Sequence, residues 1–106
     1  MPRTPTPTAV RRALGELGED LGTWRRLRRL TLKQVAERAG VSRTVVGNLE
    51  NGAGATLENT FRVVRALGVL DVFVNALDPY HSDVGRLRSE EALPRRVRHR
   101  SPREPS

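Results

Sequence analysis

Apolar positions recur at helical spacing along most of this chain, and two short capped runs in its middle set the organisation. Over residues 31–52, TLKQVAERAGVSRTVVGNLENG, Val35, Ala36 and Ala39 make a small stripe at helical spacing. Thr31 stands ahead of that stripe with Gln34 three residues on, the spacing of a reciprocal capping box. Gly40 follows it, where left-handed backbone ends a helix at least steric cost. Ser42 caps a second run whose apolar positions are Val46 and Leu49, with Val41 plugged in just ahead. Ala36 is small enough for the second helix to cross close over the first, and Asn51-Gly52 is a further turn signal. The pattern predicts two short helices joined by a tight turn.

The flanks are also helical in period. A first helix is expected to start between Val10 and Glu19 and to run to about Leu30. Its ridge is Leu14, Leu17 and Leu21, continued by Trp24 and Leu27, although Gly15, Gly18 and Gly22 weaken its beginning. Trp24, the only tryptophan, is expected in the core facing the hairpin. Arg26, Arg28 and Arg29 are expected on a solvated face. Thr56 should cap a fourth helix ending near Leu67 at Gly68, with Leu57, Phe61, Val64 and Leu67 buried and Arg62 and Arg65 outward.

Residues 69–77 contain a strand-like VFV, but Leu70, Phe73, Val74 and Leu77 fit helical spacing and predict a fifth helix stopped by Asp78-Pro79. Val69, Val72 and Ala76 give that helix a second apolar face. Such a helix is either central or shared with another copy, and the end of so small a domain favours the shared option. The expectation is an all-α domain of five helices over residues 14–78, a flexible arm over 1–13 and a basic, partly disordered extension over 79–106. Within the extension, Ser82 or Asp83 can cap a further short helix anchored by Val84 and Leu87. Arg95, Arg96, Arg98, Arg100 and Arg103 then sit among Pro and Ser in a segment that cannot bury a core.

Composition narrows the function. In 106 residues, 37% are hydrophobic and 4% aromatic, so the core must be aliphatic and small. Lys+Arg 19 against Asp+Glu 12 gives a net charge of +7, which suits a polyanionic partner. Lys33 is the only lysine, and arginine heads suit bidentate contact with phosphate. Cysteine is absent, which removes disulfides and thiolate metal sites. No apolar run approaches the roughly 20 residues that span a bilayer, and the N-terminus lacks a signal-peptide segment, so a cytoplasmic protein is expected. His81 and His99 have no second ligand at metal spacing, Glu90 and Glu91 are adjacent rather than facing, and no phosphate-cradling glycine loop occurs. The inventory supports neither catalysis nor a cofactor.

The register of Val35, Ala36, Ala39, Gly40, Val41, Val46 and Leu49, followed by Leu49-Glu50-Asn51-Gly52, resembles the helix-turn-helix of the phage-repressor-like (Xre/Cro) family. The resemblance implies a five-helix, lambda-repressor-like DNA-binding fold that acts as a homodimer on double-stranded DNA. It implies that Arg43, Thr44, Gly47 and Asn48 of the third helix meet base edges. Arg43 could pair with guanine, Asn48 with adenine, and Thr44 with a thymine methyl. Thr31, Lys33, Ser42 and Asn51 are expected near phosphate. Arg25 matches the family arginine that pairs with an acid at Glu50, and the family dimerises where Val69, Val72 and Ala76 fall.

Three positions depart from the pattern: Gly47 carries no reading side chain, Leu32 replaces a frequent glutamine, and Thr60 replaces an apolar residue. Arg3, Arg11 and Arg12 either are solvated or lie along DNA as a basic arm. The function implied is operator binding by a repressor. One rival is a HipB-type antitoxin that autoregulates its operon and holds a HipA-type kinase toxin through residues 79–106. The other is an interaction module that kept the fold without the DNA.

Overall fold

The computed structural model describes residues 4–81 and 83–92. Its helices are α1 (Thr8–Leu27), α2 (Leu32–Ala39), α3 (Arg43–Glu50), α4 (Leu57–Ala66), α5 (Leu70–Asn75) and α6 (Asp83–Ala92), with a 3-10 turn over Pro79–His81. The described part is therefore all-α, with one helix beyond the five expected of the domain. The chain divides into two compact units, Met1–Phe73 and Val74–Ser106.

In the first unit α1 starts at Thr8, earlier than the expected start and inside the stretch expected to be a flexible arm. Pro7 precedes it, and the Pro7 carbonyl accepts from the backbone N–H groups of Val10 and Arg11 at 3.0 Å each. A proline needs no N–H at a helix entrance, and the Ala, Arg and Leu residues that follow are good helix formers. The helix ends at Leu27, before the expected Leu30, because Arg29 turns left-handed with φ 59°.

One hydrogen-bond pattern closes each of α1 to α4. After α4, Gly68 N–H donates to Arg65 O at 3.0 Å and Val69 N–H to Val64 O at 2.9 Å. The same pair of bonds links Gly40 to Glu37 and Val41 to Ala36, Gly52 to Leu49 and Ala53 to Asn48, and Arg29 to Arg26 and Leu30 to Arg25. This is the Schellman arrangement, which needs a left-handed residue at its centre. Glycine supplies it three times and Arg29 once. After α1 and α4 the residue following the left-handed turn points inward, which buries Leu30 and leaves Val69 only 7% exposed, whereas Val41 after α2 is half-buried and Ala53 after α3 is exposed. Val69 therefore belongs to the core and not to the outer apolar face expected of it.

The core gathers Val35, Ala36 and Ala39 of α2, Val46 and Leu49 of α3, Val63 and Val64 of α4, and Leu21, Leu30, Leu67 and Val69. The buried side of α4 is thus rotated from the expected one. Leu57 is exposed, Phe61 is partly buried and edge-on to Phe73 at 5.8 Å, and Thr60 is buried instead. The Thr60 hydroxyl donates to Thr56 O at 2.9 Å, which satisfies its polar atom inside.

The α1 ridge is rotated as well. Its buried residues are Gly18, Leu21 and Gly22, while Trp24 is 37% exposed and Leu27 more so. A Cβ on Gly18 would overlap the carbonyl oxygens of Leu49 and Glu50, so α1 meets the end of α3 through its glycines. That close approach turns Trp24 outward. Arg28 is exposed as expected, and its guanidinium also stands over the Trp24 ring at 5.3 Å and donates from Nε to Leu67 O at 3.0 Å, tying α1 to the end of α4.

Helix α5 is shorter than the expected 69–77. Leu70 and Phe73 pack against the core, whereas Val74 and Leu77 are exposed rather than part of an inward ridge. In the second unit, Val84 and Leu87 of α6 are exposed and do not anchor it. Gly85 instead lies where a Cβ would overlap the Pro79 backbone, and Arg86 donates to Tyr80 O at 2.9 Å and pairs with Asp83. Arg3, Ser82, His99 and the arginines from Arg95 to Arg103 lie outside the described residues.

Left-handed backbone costs an ordinary L-residue about 1–2 kcal/mol, and glycine offsets part of that gain through its unfolded-state entropy. Arg29→Gly should accordingly stabilise the domain by about 0.5–1 kcal/mol in urea unfolding. A loss of stability would show that Arg29 makes interactions outweighing its backbone strain.

Candidate nucleic-acid interface

Local chemistry defines the hairpin. Thr31 Oγ1 accepts from the Gln34 N–H at 3.0 Å while Gln34 Oε1 accepts from the Thr31 N–H at 2.9 Å, a complete capping box. Gly40, at φ 72°, ends α2, and the Ser42 hydroxyl accepts from the Val45 N–H at 3.1 Å to start α3. Both cap oxygens are occupied as acceptors, yet each hydroxyl keeps its own O–H to donate.

With Val46 and Leu49 inward, the opposite face of α3 presents Arg43, Thr44 and Asn48 to solvent, with Gly47 between them partly exposed. Asn51, at the end of α3, is exposed too, as are Thr31 and Lys33 at the start of α2 and Ser42 in the turn. Thr31, Lys33, Ser42, Arg43, Thr44, Gly47, Asn48 and Asn51 therefore all reach the surface on or beside one hairpin. Leu32 is different: it packs against the core, which gives that departure a structural use. A Cβ on Gly47 would meet nothing within 4 Å, so protein packing does not require the glycine. Its helix-propensity cost of about 1 kcal/mol relative to alanine is not offset by any close packing inside the domain.

What holds α3 is a two-pronged ion pair. Arg25 Nε donates to Glu50 Oε2 at 2.7 Å and Nη2 to Glu50 Oε1 at 3.1 Å, while Nη1 donates to Leu30 O at 3.1 Å. The two side chains are 17% and 15% exposed. Hydrogen bonding to Glu50 raises the Arg25 pKa above its usual value, burial opposes this, and the charge of Glu50 adds to it. Arg25 is thus a permanent cation that joins α1, the α1–α2 link and the end of α3. Gly18 and Gly22 complete the seat by letting α1 lie against the last turn of α3. The sequence signal for that seat was the glycine series at 15, 18 and 22, which repeats on one helical face. Arg28 offered no comparable signal.

Of the expected dimer positions, Val72 is 69% exposed and Ala76 is exposed in the turn after α5. Among the described residues no group of three or more His, Cys, Asp or Glu side chains could hold a metal ion, and no helix is long and apolar enough to cross a membrane.

Residues 21–71 match the model of a protein family described as helix-turn-helix, whose domains are non-catalytic. The matched stretch runs from Leu21 of α1 into α5 and includes the hairpin, the Arg25–Glu50 pair and the buried face of α4. Neither the curated proteins nor the solved structures compared contain a match to the chain.

The pair is partly buried, so its loss should fall between the values for exposed pairs, below about 1 kcal/mol, and for fully buried ones, about 3–5 kcal/mol. Arg25→Ala and Glu50→Ala should each cost roughly 1–3 kcal/mol in urea unfolding. The double mutant should lose clearly less than the two single losses added together. Strict additivity would mean that the two side chains do not interact.

Proposed function

We propose, with a helix-turn-helix domain over residues 21–71 as the premise, that this protein is a sequence-specific DNA-binding regulator acting as a homodimeric repressor. The observation that carries the reading is the split of α3, with Val46 and Leu49 buried and Arg43, Thr44 and Asn48 outward on one face. A helix so presented, with its inner face fixed by the core and its end held by Arg25, is suited to enter a major groove. There Arg43 is the residue for guanine O6 and N7, Asn48 for adenine N6 and N7, and Thr44 for a thymine methyl. Gly47 lets the helix backbone come close to the base edges. Thr31, Lys33, Ser42 and Asn51 surround that face as donors for phosphate oxygens, which fix orientation without reading sequence. The mechanism is occupancy: the bound protein excludes polymerase from the operator, and no cofactor takes part.

Pairing of two copies is supported by Val72, the large apolar side chain that α5 leaves in solvent in the first unit. A two-fold dimer reads two half-sites separated by one helical turn, about 34 Å. Val72→Glu should give a folded monomer with sharply weaker operator binding. Sedimentation showing wild type already monomeric at micromolar concentration would overturn the dimer.

The antitoxin reading draws on Val84 and Leu87, which α6 leaves exposed and which a protein partner such as a HipA-type kinase toxin could cover. A kinase-like reading frame beside this one would favour it.

Selection of bound sequences from a random DNA pool tests the main reading. Wild type should enrich a two-fold motif. Arg43→Ala should lose about 1–3 kcal/mol of affinity and relax one base position in each half-site. Lys33→Ala should weaken all sequences alike. If wild type enriches nothing, or Arg43→Ala enriches an unchanged motif, α3 is not the reader and the interaction-module reading replaces this one.

A further inference from the structure

The outward ridge of α3 ends next to a contact with α1. Arg43, Gly47 and Asn51 follow one another at intervals of four and share one helical face. The next residue, Gly52, lies directly against α1, where its Cβ would stand 3.1 Å from Gly15 Cα and 3.6 Å from the carbonyl carbon of Leu14. Gly54 meets the Leu14 side chain in the same way, at 3.8 Å. Helix α1 is therefore docked on the loop that leaves α3 through Leu14 and Gly15, and the exposed turns ahead of that contact are already helical rather than the loose arm expected of a Pro–Thr sequence.

Arg11 and Arg12 precede Gly15 by four and three residues, so they occupy the same face of α1 one turn further out. At 1.5 Å of rise per residue they lie about 4.5–6 Å beyond the Gly15–Gly52 contact along the helix axis. Both are exposed, and neither side chain has a hydrogen-bond or ion-pair partner among the described residues. Arg25, Arg28 and Arg62 are by contrast engaged with Glu50, Leu67 O and Glu58. Two adjacent unpaired guanidiniums, carried on formed helix one turn beyond the Gly15–Gly52 contact, make an attractive site for phosphate oxygens.

We propose that Arg11 and Arg12 are a second phosphate grip, held by the outer turns of α1 on the DNA backbone that flanks each half-site. The proposal rests on the DNA-binding reading above and deepens it. The grip adds affinity and lengthens the protected site, and it carries no base information. It differs from an arm that folds on binding because the helix is already formed and seated on Gly52.

The test compares wild type with Arg11→Gln/Arg12→Gln and with the charge-keeping Arg11→Lys/Arg12→Lys. Affinity is measured against salt concentration on two duplexes, one carrying the selected operator with long flanks and one trimmed at the outer edge of each half-site. On the long duplex the Gln variant should flatten the plot of log K against log salt by about 0.9 for each phosphate no longer neutralised. Its enriched motif should be unchanged, and the Lys variant should keep the wild-type slope. On the trimmed duplex wild type and the Gln variant should converge. Equal slopes on the long duplex overturn the proposal, and so does a difference of the same size on both duplexes, because the arginines would then not be touching the flank. Wild type that binds neither duplex overturns the DNA reading and the grip with it, whereas wild-type binding with an unaffected Gln variant overturns the grip alone.

Discussion

A bidentate ion pair, Arg25 with Glu50, sets the direction of α3, and the outward face of the hairpin depends on it. The helix is only eight residues long, too short to be stable by propensity alone, so its orientation must come from what grips its ends. At its start Ser42 caps the first turn, and at its finish Glu50 is gripped by Arg25. Gly18 lets the α1 backbone press on the carbonyls of that last turn. With both ends and the Val46–Leu49 face fixed, the remaining face can only be the polar one. Rigidity of this kind is what a base-reading helix needs, because its hydrogen bonds require side chains held at defined places before contact.

The same economy of local devices shapes the rest of the first unit. Four helices end in one hydrogen-bond pattern, and the residue that follows the left-handed one is buried at Leu30 and Val69, half-buried at Val41 and exposed at Ala53. The short links between α1, α2, α3 and α4 thereby become structural elements, and they close a core of small aliphatic side chains in which Thr60 is the one buried polar residue among the described residues. Arg28 adds a cross-tie between the ends of α1 and α4, with its guanidinium over Trp24.

Features decided within four or five residues were legible in the sequence: the Thr31–Gln34 box, the Gly40 turn, the Ser42 and Thr56 caps and the Gly68 stop. The Arg25–Glu50 pair was also legible, though only through the family register, since the two residues are far apart in sequence. Helix rotations were not. Trp24 and Leu57 read as core residues from periodicity, yet contact between glycine and backbone turned α1, and a threonine able to satisfy its own hydroxyl turned α4. Val69 shows the same limit, since its burial follows from the hydrogen bonds of the Gly68 turn rather than from the α5 stripe to which its spacing assigned it. The helical start at Thr8 was hidden by a Pro–Thr composition whose proline sits at the helix entrance, where it does no harm.

The claim that the hairpin's outer face is the DNA surface can be met most directly by amide chemical-shift mapping while a duplex bearing the selected motif is titrated into the labelled protein. The account predicts the largest changes at Arg43, Thr44, Gly47, Asn48 and Asn51, smaller ones at Thr31 and Lys33, and little at the buried Val35, Val64 and Leu67. Changes concentrated in residues 74–92, with α3 unperturbed, would contradict it.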